Sequence, residues 1–119
     1  MSITIYHNPR CSKSRKTLEL ITEAGVTPTI VEYLKTPPTP GEIVGLASKL
    51  GVNVADILRS GEAEYKEAAD LPALDNHDAL ADWIAAHPKT LQRPIVVNED
   101  TGAAVIGRPP ENVLGILGS

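Results

Sequence analysis

The spacing of apolar residues in the first third of the chain predicts a strand, a helix and a second strand. Ile3–Tyr6 is a short β-branched and aromatic run, which is typical of a strand. From Ser14 onward apolar residues recur at helical spacing, and Gly25 is a natural stop for that helix. Thr29–Tyr33 predicts the second strand. Because a helix separates the two strands, we expect them to pair in parallel.

The middle of the chain, over about residues 40–87, is predicted to be a helical insertion. Thr39 and Glu42 form a capping signature around a proline at the first helical position, and Gly51 ends that helix. A short helix over Val54–Leu58 is expected to carry Arg59 at its end. A further helix can be capped by Asp75 or Asn76, and it stops before a His-Pro pair.

The last third of the chain predicts a hairpin and a closing helix. Pro94–Asn98 and Ala103–Ile106 are strands joined by a short turn, so the pair should be antiparallel. Gly107–Glu111 opens a last helix that runs through Leu117. The order is β-α-β, a helical insertion, then β-β-α. We therefore expect an α/β thioredoxin-like fold with a four-stranded mixed sheet, as a single domain over residues 1–119.

Composition narrows the class of protein. The chain has 119 residues, of which 42% are hydrophobic, as in an ordered globular domain. The net charge of −4 argues against a nucleic-acid binder, and no apolar run approaches the roughly 18 residues of a membrane span. The N-terminus becomes strand at once, without a signal peptide, and one cysteine permits no internal disulfide. A cytoplasmic location follows as the expectation.

Cys11 is the candidate nucleophile. It follows the Asn8-Pro9 break, at or near the start of the first helix, where backbone N–H groups and the helix dipole favour a thiolate. Basic residues such as Arg10 and Lys13 add positive charge nearby. The alternative interpretation is a buried structural cysteine. Ser14 occupies the second position of a Cys-X-X-Cys pair, so an oxidised Cys11 needs an external thiol. Ser14 could donate to the thiolate or only solvate the helix start.

Three arginines are candidates for binding an oxyanion. Arg59 ends a short helix, Arg93 precedes the third strand and Arg108 follows the fourth. The guanidinium group is a fork of donors suited to tetrahedral oxyanions. The alternative is that these are ordinary surface arginines in ion pairs.

His7 and Pro94 are the remaining candidates. His7 precedes the break before the cysteine, where it could stabilise a thiolate or fix the loop as a partly buried histidine. Pro94 begins a strand, an unusual place in which thioredoxin-like sites often have a cis-proline. His77 and His87 lack metal-ligand spacing with Cys11, so no metal site is predicted.

Motifs occur in order along nearly the whole chain. They are YHNPRCSKSR at 6–15, EYL at 32–34 before a proline pair, LR at 58–59, HP at 87–88, RPIVV at 93–97 and GRP at 107–109. Together they resemble the glutaredoxin-dependent arsenate reductases. The basic loop with Arg10, Ser12 and Lys13, and the end of the chain at Ser119, resemble a shorter housekeeping branch of that family.

The resemblance implies an oxidoreductase that reduces arsenate to arsenite, or that reduces a similar oxyanion. It implies a covalent adduct on Cys11, glutathione as the reducing co-substrate, glutaredoxin as the partner and no bound cofactor. The three candidate arginines match the family's oxyanion-binding residues. His7 matches the residue that keeps the cysteine ionised, Ser14 a serine that hydrogen-bonds it, and Pro94 the cis-proline. We expect a monomer.

Two other functions use the same fold. One is a non-enzymatic, redox-responsive regulator or adaptor, which the acidic insertion and the missing second cysteine would suit. The other is a single-thiol exchange protein that acts through Cys11 on another substrate and does not need the arginines.

Overall fold

Four strands form one mixed sheet in the computed structural model, which describes residues 2–59, 62–92 and 94–117. The strands are β1 (Ile3–His7), β2 (Thr29–Glu32), β3 (Ile95–Asn98) and β4 (Ala103–Ile106). Their order across the sheet is β2-β1-β3-β4. The two central strands carry the most deeply buried apolar residues, in keeping with their β-branched composition.

Strand pairing follows from the connections along the chain. Helix α1 (Ser12–Glu23) separates β1 from β2, and these strands are parallel, with Ile5 opposite Ile30. Strand β3 runs antiparallel to both β1 and β4, with Val96 opposite Ile5. The predicted parallel pair and the predicted hairpin are therefore confirmed.

One hydrophobic cluster joins α1 to the sheet and to the 3-10 helix Pro110–Ile116. Alternate strand residues point to the same side of a sheet, so neighbouring strands contribute to one face. The buried members of this cluster are Ile3, Ile5, Ile21, Val96, Val113 and Leu117. Because it fixes α1 against the sheet, this packing also fixes the start of α1, directly after β1.

Contacts between residues divide the chain into two units. The first contains the sheet and consists of the described residues of 1–36 and 93–119; the second spans Pro37–Gln92. The helices of the second unit are α2 (Pro40–Leu50), α3 (Ala63–Lys66), α4 (His77–Ala86) and 3-10 helices at Val54–Ile57 and Pro88–Thr90. None of the helices in the described residues is long and apolar enough to cross a membrane.

The sequence signals for helix ends in the second unit are confirmed. The Thr39 hydroxyl accepts the Glu42 N–H, and the Glu42 carboxylate accepts the Thr39 N–H. Gly51 ends α2 in the left-handed conformation, with φ of 73°. Asn76 caps α4 by accepting the Ala79 N–H.

Three predicted elements differ from the structure in helix type or in their last residue. The last helix, Pro110–Ile116, is a 3-10 helix rather than an α-helix; it begins at Pro110, directly after Pro109 at the N-cap. The short helix predicted over Val54–Leu58 is present as the 3-10 helix Val54–Ile57, one residue shorter than predicted. Strand β2 ends at Glu32 because its carbonyl accepts the N–H groups of Lys35 and Thr36 in a turn.

Candidate active site

Cys11 lies at the N-cap of α1, between the end of β1 and the first helical turn. Its backbone is extended, its N–H donates to the Asn8 carbonyl at 3.0 Å, and its carbonyl accepts the Arg15 N–H at 3.0 Å. The residue is partly exposed, and the first turn of α1 contains no acidic side chain. A sulfur held there is close to the unpaired N–H groups and the positive end of the helix dipole, which favour the thiolate.

Asn8 shapes the loop before the cysteine. Its side-chain oxygen accepts the Arg10 N–H at 3.0 Å, while its carbonyl accepts the Cys11 N–H. This is the local turn that an asparagine before proline favours. Our interpretation of the sequence treated Asn8-Pro9 only as a break, so it missed this role, although the Asn-Pro pair was the available signal.

His7 and Ser14 are in direct contact in a buried position. Ser14 Oγ lies 2.6 Å from His7 Nδ1, and it accepts the Asn8 N–H at 3.0 Å. Ser14 is fully buried and His7 is 6% exposed. A histidine with its proton on Nε2 would accept the Ser14 hydroxyl proton, which is then not available to the thiolate. The structure thus pairs Ser14 with the histidine.

Burial lowers the pKa of His7 from its ordinary value. The charge of Glu32 opposes this effect by raising the pKa, and Arg15 adds a smaller lowering contribution. A lowered pKa favours the neutral imidazole near pH 7. In that state His7 would support the cysteine loop through hydrogen bonding and packing rather than through a full positive charge.

Arg108 reaches the sulfur from the far end of the chain. Its Nη2 lies 3.8 Å from Cys11 Sγ, although the two residues are 97 positions apart. The Arg108 N–H donates to the Ile106 carbonyl, and Asn112 Nδ2 donates to the carbonyls of Ile106 at 3.3 Å and Arg108 at 3.2 Å. The side chain of Asn112 therefore holds the loop that carries Arg108, a role with no evident signal in the sequence.

Gly107 permits this loop to approach α1. A Cβ atom at Gly107 would lie 2.6 Å from Thr17 Oγ1 and 2.8 Å from Pro94 Cγ. Thr17 cannot move aside freely, because its hydroxyl donates to the Lys13 carbonyl at 2.8 Å. The Gly107 N–H donates to the Pro94 carbonyl at 2.9 Å. Only glycine fits at position 107. Because the loop can then approach α1 closely, the next residue, Arg108, lies beside Cys11.

Arg59, Arg93 and Pro94 are the other predicted site residues. Arg59 belongs to the second unit, where its Nη1 donates to Glu62 Oε1 at 3.0 Å, so its role at Cys11 stays a prediction. Arg93 lies outside the described residues, and so does its peptide bond to Pro94, the predicted cis bond. The Arg108-Pro109 bond is cis. In the described part of the chain, no group of three or more His, Cys, Asp or Glu residues could hold a metal ion.

The described residues of the site combine a thiol with a positive charge. The sulfur of Cys11, the candidate nucleophile, lies at a helix start, and the guanidinium of Arg108 adds positive charge beside it. Helix N-termini and arginine forks both bind oxyanions. The arrangement can therefore hold a tetrahedral anion next to an ionised thiol.

Comparison with known proteins finds similar chains that match over nearly the whole length. A model of the ArsC family matches residues 6–116. The chain is 47% identical over 117 residues to an arsenate reductase of Neisseria meningitidis, covering 97% of each chain. It is 46% identical to the uncharacterized protein YfgD of Escherichia coli, covering 98% of this chain and 97% of the other. A solved structure of an arsenate reductase from Vibrio cholerae superposes with a TM-score of 0.86 at 47% identity, covering 98% of each chain.

Proposed function

Because this chain belongs to the ArsC family and has its thioredoxin-like fold, we propose that it is an oxidoreductase that reduces arsenate to arsenite. The relatives named arsenate reductase in Neisseria and Vibrio support this substrate. Cys11 is the proposed nucleophile, glutathione the reducing co-substrate and glutaredoxin the protein partner. We propose that the protein acts as a monomer in the cytoplasm, as a single arsenate-reductase-type domain.

The approach of Arg108 to Cys11 is the observation that most supports the proposal. A guanidinium 3.8 Å from the sulfur stabilises a reactive thiolate and attracts the anion that the thiolate attacks. A cysteine that only packs in the core does not require such a neighbour. The positive charge stabilises the thiolate before attack and the oxyanion during attack. Arg59 and Arg93 are proposed to bind further oxygens of the same anion.

The first step makes a covalent adduct. The Cys11 thiolate attacks the arsenic of arsenate, a sulfur–arsenic bond forms, and one arsenic–oxygen bond breaks. The departing oxygen leaves as hydroxide and becomes water with a proton from solvent. Arsenic remains in its +5 state, and Arg108 compensates the charge on the remaining oxygens. Placing both reactants at one helix start replaces a bimolecular encounter by an oriented one.

The second step transfers two electrons. A glutathione thiolate attacks the sulfur of Cys11, the sulfur–arsenic bond breaks, and its electron pair stays on arsenic, which leaves as arsenite in the +3 state. Cys11 is then a mixed disulfide with glutathione. A glutaredoxin thiolate attacks the glutathione sulfur and releases the Cys11 thiolate. Ser14 cannot perform this last step, so an external thiol is required.

His7 and Ser14 are proposed to position the cysteine. Their buried contact lies under the turn that leads into Cys11, and Ser14 also accepts the N–H of Asn8 in that turn. Keeping this turn fixed keeps Sγ at the helix start, where the dipole and Arg108 act on it.

Trapping the mixed disulfide tests the sequence of steps. The protein is incubated with arsenate and glutathione in the absence of glutaredoxin, and its intact mass is compared with the arsenite released. We expect one glutathione on Cys11 for each arsenite, and neither product from Cys11→Ser. Modification that occurs equally without arsenate would indicate single-thiol exchange and contradict the proposal.

A further inference from the structure

A cavity of about 250 Å³ lies in the first unit beside the loop that carries the cysteine. Pro9 and Arg10, the two residues before Cys11, form one wall, and His7 lies next to them. The end of β2 and the residues after it complete the lining, which consists of His7, Pro9, Arg10, Glu32, Leu34 and Lys35. Cys11 and Arg108 are not among them, so the cavity adjoins the cysteine through Arg10 and does not include the contact proposed to hold arsenate.

The lining carries two positive groups, one negative group and apolar surface. Arg10 and Lys35 are the cations, Glu32 is the anion, and Pro9 and Leu34 are apolar. Lys35 Nζ lies 3.6 Å from Glu32 Oε1, with the lysine side chain 77% exposed. An exposed ion pair of this kind contributes little, so both partners can exchange it for a ligand.

We propose that this cavity binds glutathione, in the orientation that places its thiol toward Cys11. The assignment rests on the proposed function, which requires glutathione to reach the Cys11 sulfur. Glutathione carries two carboxylates, at its two ends, and one ammonium group. Arg10 and Lys35 complement the two carboxylates, Glu32 complements the ammonium, and the apolar surface packs against the peptide.

The charges favour glutathione over a second oxyanion. A tetrahedral anion has no group for Glu32 to bind and no apolar part to cover Pro9 and Leu34. A carboxylate in the lining would repel such an anion, whereas it pairs with an ammonium group. Glu32, a carboxylate in a lining that also carries two cations, is therefore the feature that distinguishes a glutathione site from an oxyanion site.

The wall next to the cysteine is held in place. The Arg10 N–H and the Cys11 N–H both donate to Asn8, at 3.0 Å each. The backbone of Arg10, which lines the cavity, and the backbone of Cys11, which carries the sulfur, are thus both fixed to Asn8. A ligand seated against this wall has a defined position relative to Cys11, which lowers the cost of ordering it.

Binding of S-methylglutathione tests the assignment without any reaction, because its sulfur is blocked. Affinity is measured by isothermal titration calorimetry for wild type, Lys35→Ala, Arg10→Ala and Glu32→Gln. Each variant is expected to bind about tenfold more weakly, as for loss of one charge-assisted contact. Lys89→Ala, an exposed lysine of the second unit, removes the same charge and should bind as wild type does.

Glu32→Gln is the decisive variant. A general attraction between positive surface and anionic glutathione would become stronger when Glu32 is neutralised, whereas loss of the ammonium contact weakens binding. An analogue of S-methylglutathione without its α-amino group should bind Glu32→Gln at least as tightly as wild type, because it has no ammonium contact to lose. Tighter binding by Glu32→Gln, unchanged affinity in the variants, or no binding by wild type would overturn the assignment.

The kinetic readout separates this inference from the proposed function. In the arsenate assay the three cavity variants should raise the KM for glutathione and leave the KM for arsenate unchanged. A wild type that binds S-methylglutathione with the expected pattern but does not reduce arsenate would contradict the proposed function alone. Arsenate reduction with an unchanged KM for glutathione in every variant would contradict the cavity alone.

Discussion

Arg108 Nη2 lies 3.8 Å from Cys11 Sγ, which joins the loop after β4 to the start of α1. At this distance the guanidinium makes a long hydrogen bond to the sulfur, and its positive charge would attract the sulfur more strongly once Cys11 is a thiolate. This attraction therefore depends on the positive charge of residue 108 more than on the shape of its side chain. Binding a tetrahedral oxyanion, by contrast, uses the planar fork of the guanidinium.

Replacing Arg108 separates these two roles. We expect Arg108→Ala to slow alkylation of Cys11 by iodoacetamide at pH 7 and to raise the KM for arsenate by about 10- to 100-fold. Arg108→Lys keeps the charge, so it should restore most of the alkylation rate but not the KM. Full recovery of both quantities in the lysine variant would show that the fork is not used.

Removing the Ser14 hydroxyl should destabilise the turn before the cysteine. Ser14→Ala removes the contact with His7 and leaves the Asn8 N–H without its buried acceptor. We expect the free energy of unfolding to fall by about 1–3 kcal/mol, measured by urea denaturation. Ser12→Ala, an exposed serine in the same helix, should change it by less than about 0.5 kcal/mol. Equal effects of the two substitutions would remove the structural role of Ser14.

The pKa of His7 gives a pH dependence with a definite sign. Because burial lowers this pKa in the folded state, the unfolded chain binds more protons below about pH 6.5. Stability should therefore be fully present above that pH and decrease as pH falls toward the folded pKa. His7→Gln should reduce this slope, while His77→Gln, at an exposed position, should keep it. A slope that does not change in His7→Gln would contradict this account.

Gly107 should tolerate no side chain. The Cβ of Gly107→Ala would meet Thr17 Oγ1 at 2.6 Å and Pro94 Cγ at 2.8 Å, so the loop with Arg108 must shift. We expect a loss of about 1–3 kcal/mol in stability and a higher KM for arsenate. Adding Thr17→Ala should recover part of the loss. Gly115→Ala is the control, because a Cβ there meets nothing within 4 Å. Wild-type KM in Gly107→Ala would contradict the positioning role.

Much of the fold was predictable because its signals are local. Three signals act within a few positions of the chain: the runs of β-branched residues in β1 and β3, the capping pair Thr39 and Glu42, and the stop at Gly51. The thioredoxin-like prediction is confirmed by the fold of the family. The type of the closing helix was mispredicted, because the helical spacing of apolar residues in so short a segment does not distinguish a 3-10 helix from an α-helix.

The site was predictable as a set of residue types but not as a set of contacts. The position of Cys11 at the start of α1 follows from the sequence, since the break and the helix are adjacent. The pairing of Ser14 with His7 does not, because a hydroxyl near both a thiol and an imidazole has two available partners. The approach of Arg108 depends on Gly107, which packs against the distant residues Thr17 and Pro94, and on Asn112, whose side-chain hydrogen bonds leave no recognisable sequence pattern.

The central claim is that Cys11 reduces arsenate. The most direct measurement is arsenate-dependent NADPH consumption with glutathione, glutaredoxin and glutathione reductase supplied, comparing wild type with Cys11→Ser. We predict steady turnover by wild type and none by Cys11→Ser, with both proteins folded to the same extent by circular dichroism. No arsenate-dependent turnover by wild type, or equal turnover by the two proteins, would contradict the claim.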